Sequence, residues 1–409
     1  MNHTLAASPP PAGGDGGPAR SSSAPGLRSG DHHGSHRHLL LAPGAATGEG
    51  RIDAIVVPTV RHRLRLGHAA ALARELGCPL LVLCSGPYTG TAHLRPLGEL
   101  GAEVVAVDFA GSAALRLPRF ETSTILPPRF RRKTDTAAKR NLALTLARML
   151  SWERVVFLDD DIEVGEPGDL RRAAGLLDRF SAVGLSIAGF PDNSVVCHAY
   201  RAVGGAQESF VGGGALAVET ARDVAFFPDI YNEDWFYLLE GDGLRPLAVT
   251  GTVRQAPYDP FRTPDRARTE ELGDVLAEGL FWLLDEGRTI DDAHHGHWED
   301  FLVRRRRFIT GVLRRLPDAS VEPAERRRME EALKASLGRL AIITPDLCLA
   351  YLDAWRADRK SWGDFATLLP AARTVDDALR ALAAPGHRPF TTLRLNPPRS
   401  AKRDRSSSA

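Results

Sequence analysis

Arg154-Val155-Val156-Phe157-Leu158 runs directly into Asp159-Asp160-Asp161, so a short apolar segment delivers three carboxylates to one point. A β-branched and bulky apolar run of this length suits a central strand covered on both faces, as in a parallel sheet. In open α/β sheets ligands collect at the carboxyl ends of the strands, where these acids emerge. Adjacent aspartates with no basic neighbour in sequence repel one another, and a divalent cation is the simplest partner that stabilises them together. Oxygen ligands favour Mg²⁺ or Mn²⁺ over zinc, and magnesium commonly shares its shell with substrate phosphates. The alternative is an Asp-rich turn ahead of a helix that starts near Asp169.

With 409 residues the chain exceeds the usual single-domain range, which predicts one large core with a smaller attached unit. Its 52 basic and 51 acidic residues nearly cancel, so net charge argues neither for a nucleic-acid partner nor for a membrane surface. Cys78, Cys84, Cys197 and Cys348 follow no metal-binding or disulfide spacing and read as buried thiols in a reducing compartment. No stretch approaches the roughly eighteen apolar residues of a spanning helix, and no apolar signal core opens the chain. The expectation is a soluble, cytoplasmic protein without a transmembrane segment.

Residues 1–50 are dominated by Gly, Pro, Ala, Ser and His and predict a disordered leader. Its His32, His33, His36 and His38 read as incidental rather than as a metal site. Residues 391–409 read as a flexible tail. Between them strands at 54–58, 79–84 and 103–107 alternate with helices at 66–76 and 136–150 before the strand that ends at the aspartates. Short strands at 182–187 and 215–218 follow, and from 263 to 390 the pattern is nearly all helical. The fold class predicted is α/β: a mainly parallel sheet flanked by helices over 51–262, with a helical C-terminal region.

Two further constellations bear on chemistry. Lys139, Arg140 and Asn141 lie in the first turns of a helix capped by Asp135 or Thr136. Cations are poorly matched to that end of a helix dipole, which points to an anionic partner such as a diphosphate, or else to a solvated basic face. Asn232-Glu233-Asp234 opens an aromatic segment containing Trp235, Phe236 and Tyr237. Acids half-buried among aromatics have raised pKa values suited to a general base, although Asn232 capping an ordinary amphipathic helix fits as well.

In this order the pieces resemble the GT-A nucleotide-sugar glycosyltransferases, family 2 in particular. An Arg-Asn helix with Lys139-Arg140-Asn141 precedes a strand ending in Asp159-Asp160-Asp161. Gly212-Gly213-Gly214 and a short strand at 215–218 then lead to Asn232-Glu233-Asp234-Trp235. The resemblance spans roughly residues 51 to 260. It implies a metal-dependent hexosyltransferase that moves a sugar from a nucleotide diphosphate donor to a hydroxyl acceptor of unidentified nature, with inversion. Asp234, with Glu233 beside it, would be catalytic. Pro58, Thr59, Lys139, Arg140, Asn141, Asp159, Asp160, Gly213 and Gly214 would hold the donor, and Asp159 and Asp161 the Mn²⁺ or Mg²⁺.

The sequence departs from the family pattern at two places. Cys84-Ser85-Gly86 stands where the second strand usually ends in an acid that reads the nucleoside, with Asp108 one strand later. A histidine commonly completes the metal site after the Glu-Asp motif, whereas here Gln255 would replace it or His294, His295 and His297 would fold back. Alternatives are a nucleotidyltransferase, disfavoured because residues 58–63 contain no glycine, and a non-catalytic nucleotide-binding protein of the same fold. The segment 190–198 borders the expected cleft, with His198 read either as a contact or as a core residue. Arg304-Arg305-Arg306-Arg307 reads as a solvated helix face, or less directly as a dock for an anionic acceptor.

Overall fold

The structure, a computed structural model, describes residues 29–44, 48–61, 66–86, 90–109, 111–190, 194–206, 211–222, 224–386 and 390–396. The first half alternates as the sequence pattern requires: β1 (Ala54–Thr59), α1 (Gly67–Leu76), β2 (Leu80–Cys84) and β3 (Val104–Asp108). A short α2 (Glu121–Ile125) and the longer α3 (Thr136–Met149) lead into β4 (Arg154–Leu158) and β5 (Ile162–Val164). Then come α4 (Pro167–Leu176), β6 (Ala182–Gly189), α5 (Val195–Ala202), β7 (Ala215–Glu219) and α6 (Glu233–Leu238). A two-stranded ribbon, β8 (Leu239–Glu240) with β9 (Gly243–Leu244), precedes β10 (Leu247–Gln255). Five helices follow: α7 (Pro264–Asp285), α8 (His295–Arg315), α9 (Pro323–Leu340), α10 (Pro345–Thr367) and α11 (Val375–Leu382). A last strand, β11 (Thr392–Leu395), closes the described chain.

Nine strands form one mixed sheet in the order β11-β3-β2-β1-β4-β7-β6-β10-β5. β1 to β4, β6 and β10 run one way, while β5, β7 and β11 oppose them. Burial on both faces explains the uninterrupted apolar runs. Val56 and Phe157 join a core shared with α3 and α7 to α11, whereas Ile55, Val57, Val156 and Leu158 join the core under α1 and α4. The chain winds from β1 outward through β2 to β3 and then returns to place β4 on the other side of β1. The carboxyl ends of β1 and β4 therefore flank the switch point where open α/β sheets leave a crevice, and Thr59 and Asp159 stand at its two lips.

Two boundaries differ from expectation. The leader is not disordered over 29–44: His36 is buried with Nδ1 2.5 Å from Asp285 on α7, and His38 Nε2 lies 2.9 Å from the same carboxylate. His32 stacks on Phe308 at 4.2 Å. Polar composition hid this because the anchoring is done by imidazoles that find a buried acid and aromatic faces. Residues 1–28 lie outside the described residues. The expected flexible tail contributes β11, antiparallel to β3, because Leu393 and Leu395 alternate onto the core of the α1 face. Residues 397–409 again lie outside the description. All four cysteines are buried and unpaired. Among the described residues no single helix is long and apolar enough to cross a membrane.

Candidate active site

The crevice divides into two joined cavities. One, of about 450 Å³, is lined by Thr59, Arg61, Lys139, Asp159, Asp160 and Asp161 and, on its far wall, by residues 255–259, Arg262 and Arg266. The other, of about 590 Å³, contains Arg140, Asp159, Gly214, Glu233, Asp234 and Trp235, and is roofed by His32, His33 and His36 of the N-terminal segment. Arg61, Thr136, Asp159, Gln255 and Arg266 belong to both.

The cations expected to meet a diphosphate are engaged with the protein itself. Lys139 is 1% exposed and donates to the Thr59 carbonyl (2.8 Å) and Ser85 Oγ (2.7 Å), while pairing with Asp135 (2.9 Å). Its ammonium thereby ties the ends of β1 and β2 to the start of α3. Asp135 holds the capping position of that helix but makes no capping hydrogen bond, its carboxylate being taken by Lys139. Arg140 is buried and forks between Asp159 (3.0 Å) and Glu233 (3.1 Å), so the anions implied by its place on the helix are two acids of the same chain. Asn141 does not reach the cavities: its amide pairs with both the N–H and the C=O of Phe227, at 2.8 Å each. Its assignment to the donor site is therefore corrected to the internal support of the 224–230 segment.

The three aspartates also have basic neighbours, brought by the fold rather than the sequence. Arg61, two residues past β1, donates through Nη1 to Asp160 and Asp161 at 2.6 Å each. Thr59 Oγ1 donates to the other oxygen of Asp160. Burial raises the pKa of Asp159 and of Asp160, opposed by Arg140 in the first and by Thr59 and Arg61 in the second. The Asp-rich turn therefore faces the crevice, and α4 starts separately at Pro167.

Glu233 and Asp234, adjacent in sequence, have opposite surroundings. Glu233 is buried between Arg132 (2.7 Å) and Arg140 (3.1 Å), which neutralise it. Asp234 forms no ion pair with a described residue. Instead Oδ2 accepts from the Gly213 N–H at 2.6 Å and Oδ1 from its neighbour's N–H at 2.9 Å. Burial, then repulsion from Glu233, raises its pKa to about 6 against the pull of Arg140. That value suits a proton acceptor near neutral pH. Of the two acids expected to be catalytic, Glu233 is thus held between two arginines, while Asp234 accepts from backbone amides.

Gly213 is required by close approach: a Cβ there would lie 2.5 Å from Arg140 Nη1. Gly214 faces Asp159, whose N–H donates to the Gly214 carbonyl at 2.9 Å. The glycine turn thus joins the end of β4 to Asp234. Pro58 and Thr59 line the first cavity as expected.

Of the two candidates for a further metal ligand, Gln255 lines both cavities, and its buried Oε1 has no hydrogen-bond partner among the described residues. His294, His295 and His297 do not fold back. His294 caps α8, His297 bonds the Gly279 carbonyl at 3.1 Å, and His295 is half exposed beside Glu299. His198 is a core histidine: its Nε2 is 2.9 Å from Tyr258 Oη, it stacks on Phe190, and burial lowers its pKa to about 3. Residues 191–193 of that segment lie outside the described residues. Asp108 is taken by Thr91, whose N–H and Oγ1 donate to it at 2.8 and 3.0 Å. Arg61, Arg132 and Arg266 were not legible as site residues, since nothing in their local sequence separates them from other surface arginines.

No protein-family model matches the sequence, and no curated protein is significantly similar to it. Among solved structures the chain is similar to the mannosyltransferase PcManGT from Pyrobaculum calidifontis in complex with GDP-Man and Mn²⁺. The identity is 16% over 79% of this chain and 85% of that one, with a TM-score of 0.38. A mycobacterial protein known from a crystal structure aligns with 17% identity over 62% of this chain and 79% of that one, with a TM-score of 0.36. Likenesses this weak carry no argument about activity.

Proposed function

We propose that this protein is a glycosyltransferase of the GT-A type that moves a sugar from a nucleotide diphosphate donor to a hydroxyl acceptor with inversion. The observation that carries this reading is the position of Asp234: an acid of raised pKa, without an ion pair among the described residues, in the same cavity as Asp159 at the carboxyl end of β4. The donor diphosphate would lie in the first cavity against Arg61, Arg262 and Arg266, and the acceptor in the second against Asp234 and Trp235. The acceptor oxygen bonds to the anomeric carbon as its proton passes to the Asp234 carboxylate. The bond from that carbon to the diphosphate oxygen breaks, and the nucleoside diphosphate leaves with the electron pair.

The residues fit a hard divalent ion in part. No group of three His, Cys, Asp or Glu among the described residues is arranged to hold one as it stands. Asp159, Asp161 and the unpartnered Gln255 oxygen nonetheless supply hard oxygen donors around one cavity, and they would hold Mn²⁺ or Mg²⁺ once Arg61 released Asp161. Such an ion, when bound, adds positive charge to the leaving diphosphate. Arg61 supplies positive charge at the same place in its absence.

The test is incubation with UDP-glucose, UDP-galactose and GDP-mannose, reading release of nucleoside diphosphate. Release that requires the Asp234 carboxylate supports transfer or its water-accepting side reaction. Pyrophosphate release from a nucleoside triphosphate and a sugar phosphate would favour a nucleotidyltransferase.

A further inference from the structure

Asn232 has φ of 62°, a left-handed conformation that asparagine tolerates better than most residues but still adopts for a reason. It holds the capping position of α6 yet makes no capping hydrogen bond. Its Nδ2 instead donates to Asp274 Oδ1 on α7 at 3.0 Å. The other oxygen of Asp274 accepts from Arg305 Nη2 at 2.6 Å. Arg305, 1% exposed on α8, also grips Glu271 through Nε (2.9 Å) and Nη2 (3.2 Å) and Glu278 through Nη1 (3.1 and 3.0 Å). Glu271, Asp274 and Glu278 fall at i, i+3 and i+7, so they form one acidic stripe of α7 facing a single guanidinium.

This contradicts the solvated-face reading for Arg305, while Arg306 and Arg307 remain exposed. Buried ion networks are weak stabilisers compared with apolar packing of the same volume, and their best attested use is to fix geometry. Asp274 and Glu278 themselves line the second cavity, and Asn232 links the network to the turn that precedes Asp234. The α7 backbone closes on the same turn from beneath: a Cβ on Gly273 would meet the Tyr231 carbonyl oxygen at 2.2 Å. The turn at 231–232 is thus clamped by side chain and by backbone immediately before Asp234.

We propose that Asp274 and Arg305 are positioning residues which, acting through Asn232, hold Asp234 against the Gly213 amide in the geometry of a general base. The inference rests on the reading of Asp234 as the base, and it assigns to α7 and α8 the task of aligning a residue they do not contain. A shift of the turn by a fraction of an ångström would lengthen the 2.6 Å bond between Gly213 and Asp234 and turn the carboxylate from the acceptor.

The informative variant is Asn232→Gly, since glycine accepts the left-handed backbone and removes only the side-chain link. Asp274→Asn is the second, leaving Arg305 paired with Glu271 and Glu278. The amide proton of Gly213, expected downfield in the wild type because it donates to a carboxylate, is read by NMR and assigned by its shift in Asp234→Asn. The expected result is an upfield shift of that one resonance in both variants, at an unchanged melting temperature for Asn232→Gly, with donor hydrolysis reduced about tenfold or more in kcat and little changed in KM. A Gly213 resonance unmoved by Asn232→Gly overturns the proposal, as does a tenfold loss that appears only in KM. Hydrolysis unaffected by Asp234→Asn would instead remove the reading of Asp234 as the base, a separate outcome because the amide shift is measured without substrate.

Discussion

Asp159 and Asp234 line one cavity with different partners: Asp159 is paired with a guanidinium, whereas among the described residues Asp234 accepts only from backbone amides. Burial raises the pKa of both, opposed at Asp159 by the paired guanidinium, and the value of about 6 at Asp234 suits a proton acceptor.

The pKa of about 6 at Asp234 sets the pH dependence. Only the ionised carboxylate accepts a proton, so activity falls as pH drops through about 6. The linkage to stability has its own sign. Because the folded value lies above the ordinary 3.8, the contribution of this group to stability is fully present below the unfolded value and is lost as pH rises through about 6. A pH–rate profile of donor hydrolysis should show an acid limb centred near 6, and a limb near 4 would mean that the titrating group is another acid.

Arg140→Met is expected to destabilise the fold by about 3–5 kcal/mol, since it leaves Asp159 and buried Glu233 without their shared cation. Urea unfolding measures this. A loss below about 1 kcal/mol would show that the pairs are solvated in solution.

Arg61→Ala should behave differently. Its side chain is 48% exposed but those of Asp160 and Asp161 are only 6% and 10% exposed, so the variant loses stability, though less than Arg140→Met. The carboxylates it releases, Asp160 and Asp161, become available to a divalent ion. Calorimetric titration with Mn²⁺ is expected to show tighter binding to the variant than to the wild type, and weaker binding would mean that Arg61 assists the ion instead of competing with it.

Much of this was legible in the chain. β1 to β4 and β7 announce themselves as apolar runs, and the strand that ends at Asp159 marks the crevice because sheet topology leaves few other places for three acids. Asp234 was visible as an acid among aromatics. What periodicity could not show is the long-range pairing. Arg61 meets Asp160 across about a hundred positions of sequence, and Asn141 reads as a donor ligand until Phe227 is seen to use both ends of its amide. Arg305 sits in a run of four arginines, and only the acidic stripe of α7, 27 to 34 residues earlier, distinguishes it from its neighbours.

Asn141→Ala follows from that correction. Leaving the buried N–H and C=O of Phe227 unpaired costs about 1–3 kcal/mol each in desolvation, so the melting temperature drops while the KM for donor is unchanged. A large rise in KM with a normal melting temperature would return Asn141 to the donor site.

The most direct measurement compares wild type and Asp234→Asn with UDP-glucose, UDP-galactose and GDP-mannose, following nucleoside diphosphate release by mass spectrometry alongside calorimetric binding of the same nucleotides. The expected result is release by the wild type and a loss of about a hundredfold or more in the variant, with nucleotide binding retained. Equal release from both proteins, or no nucleotide binding by either, would contradict the assignment of this crevice as a glycosyltransferase site.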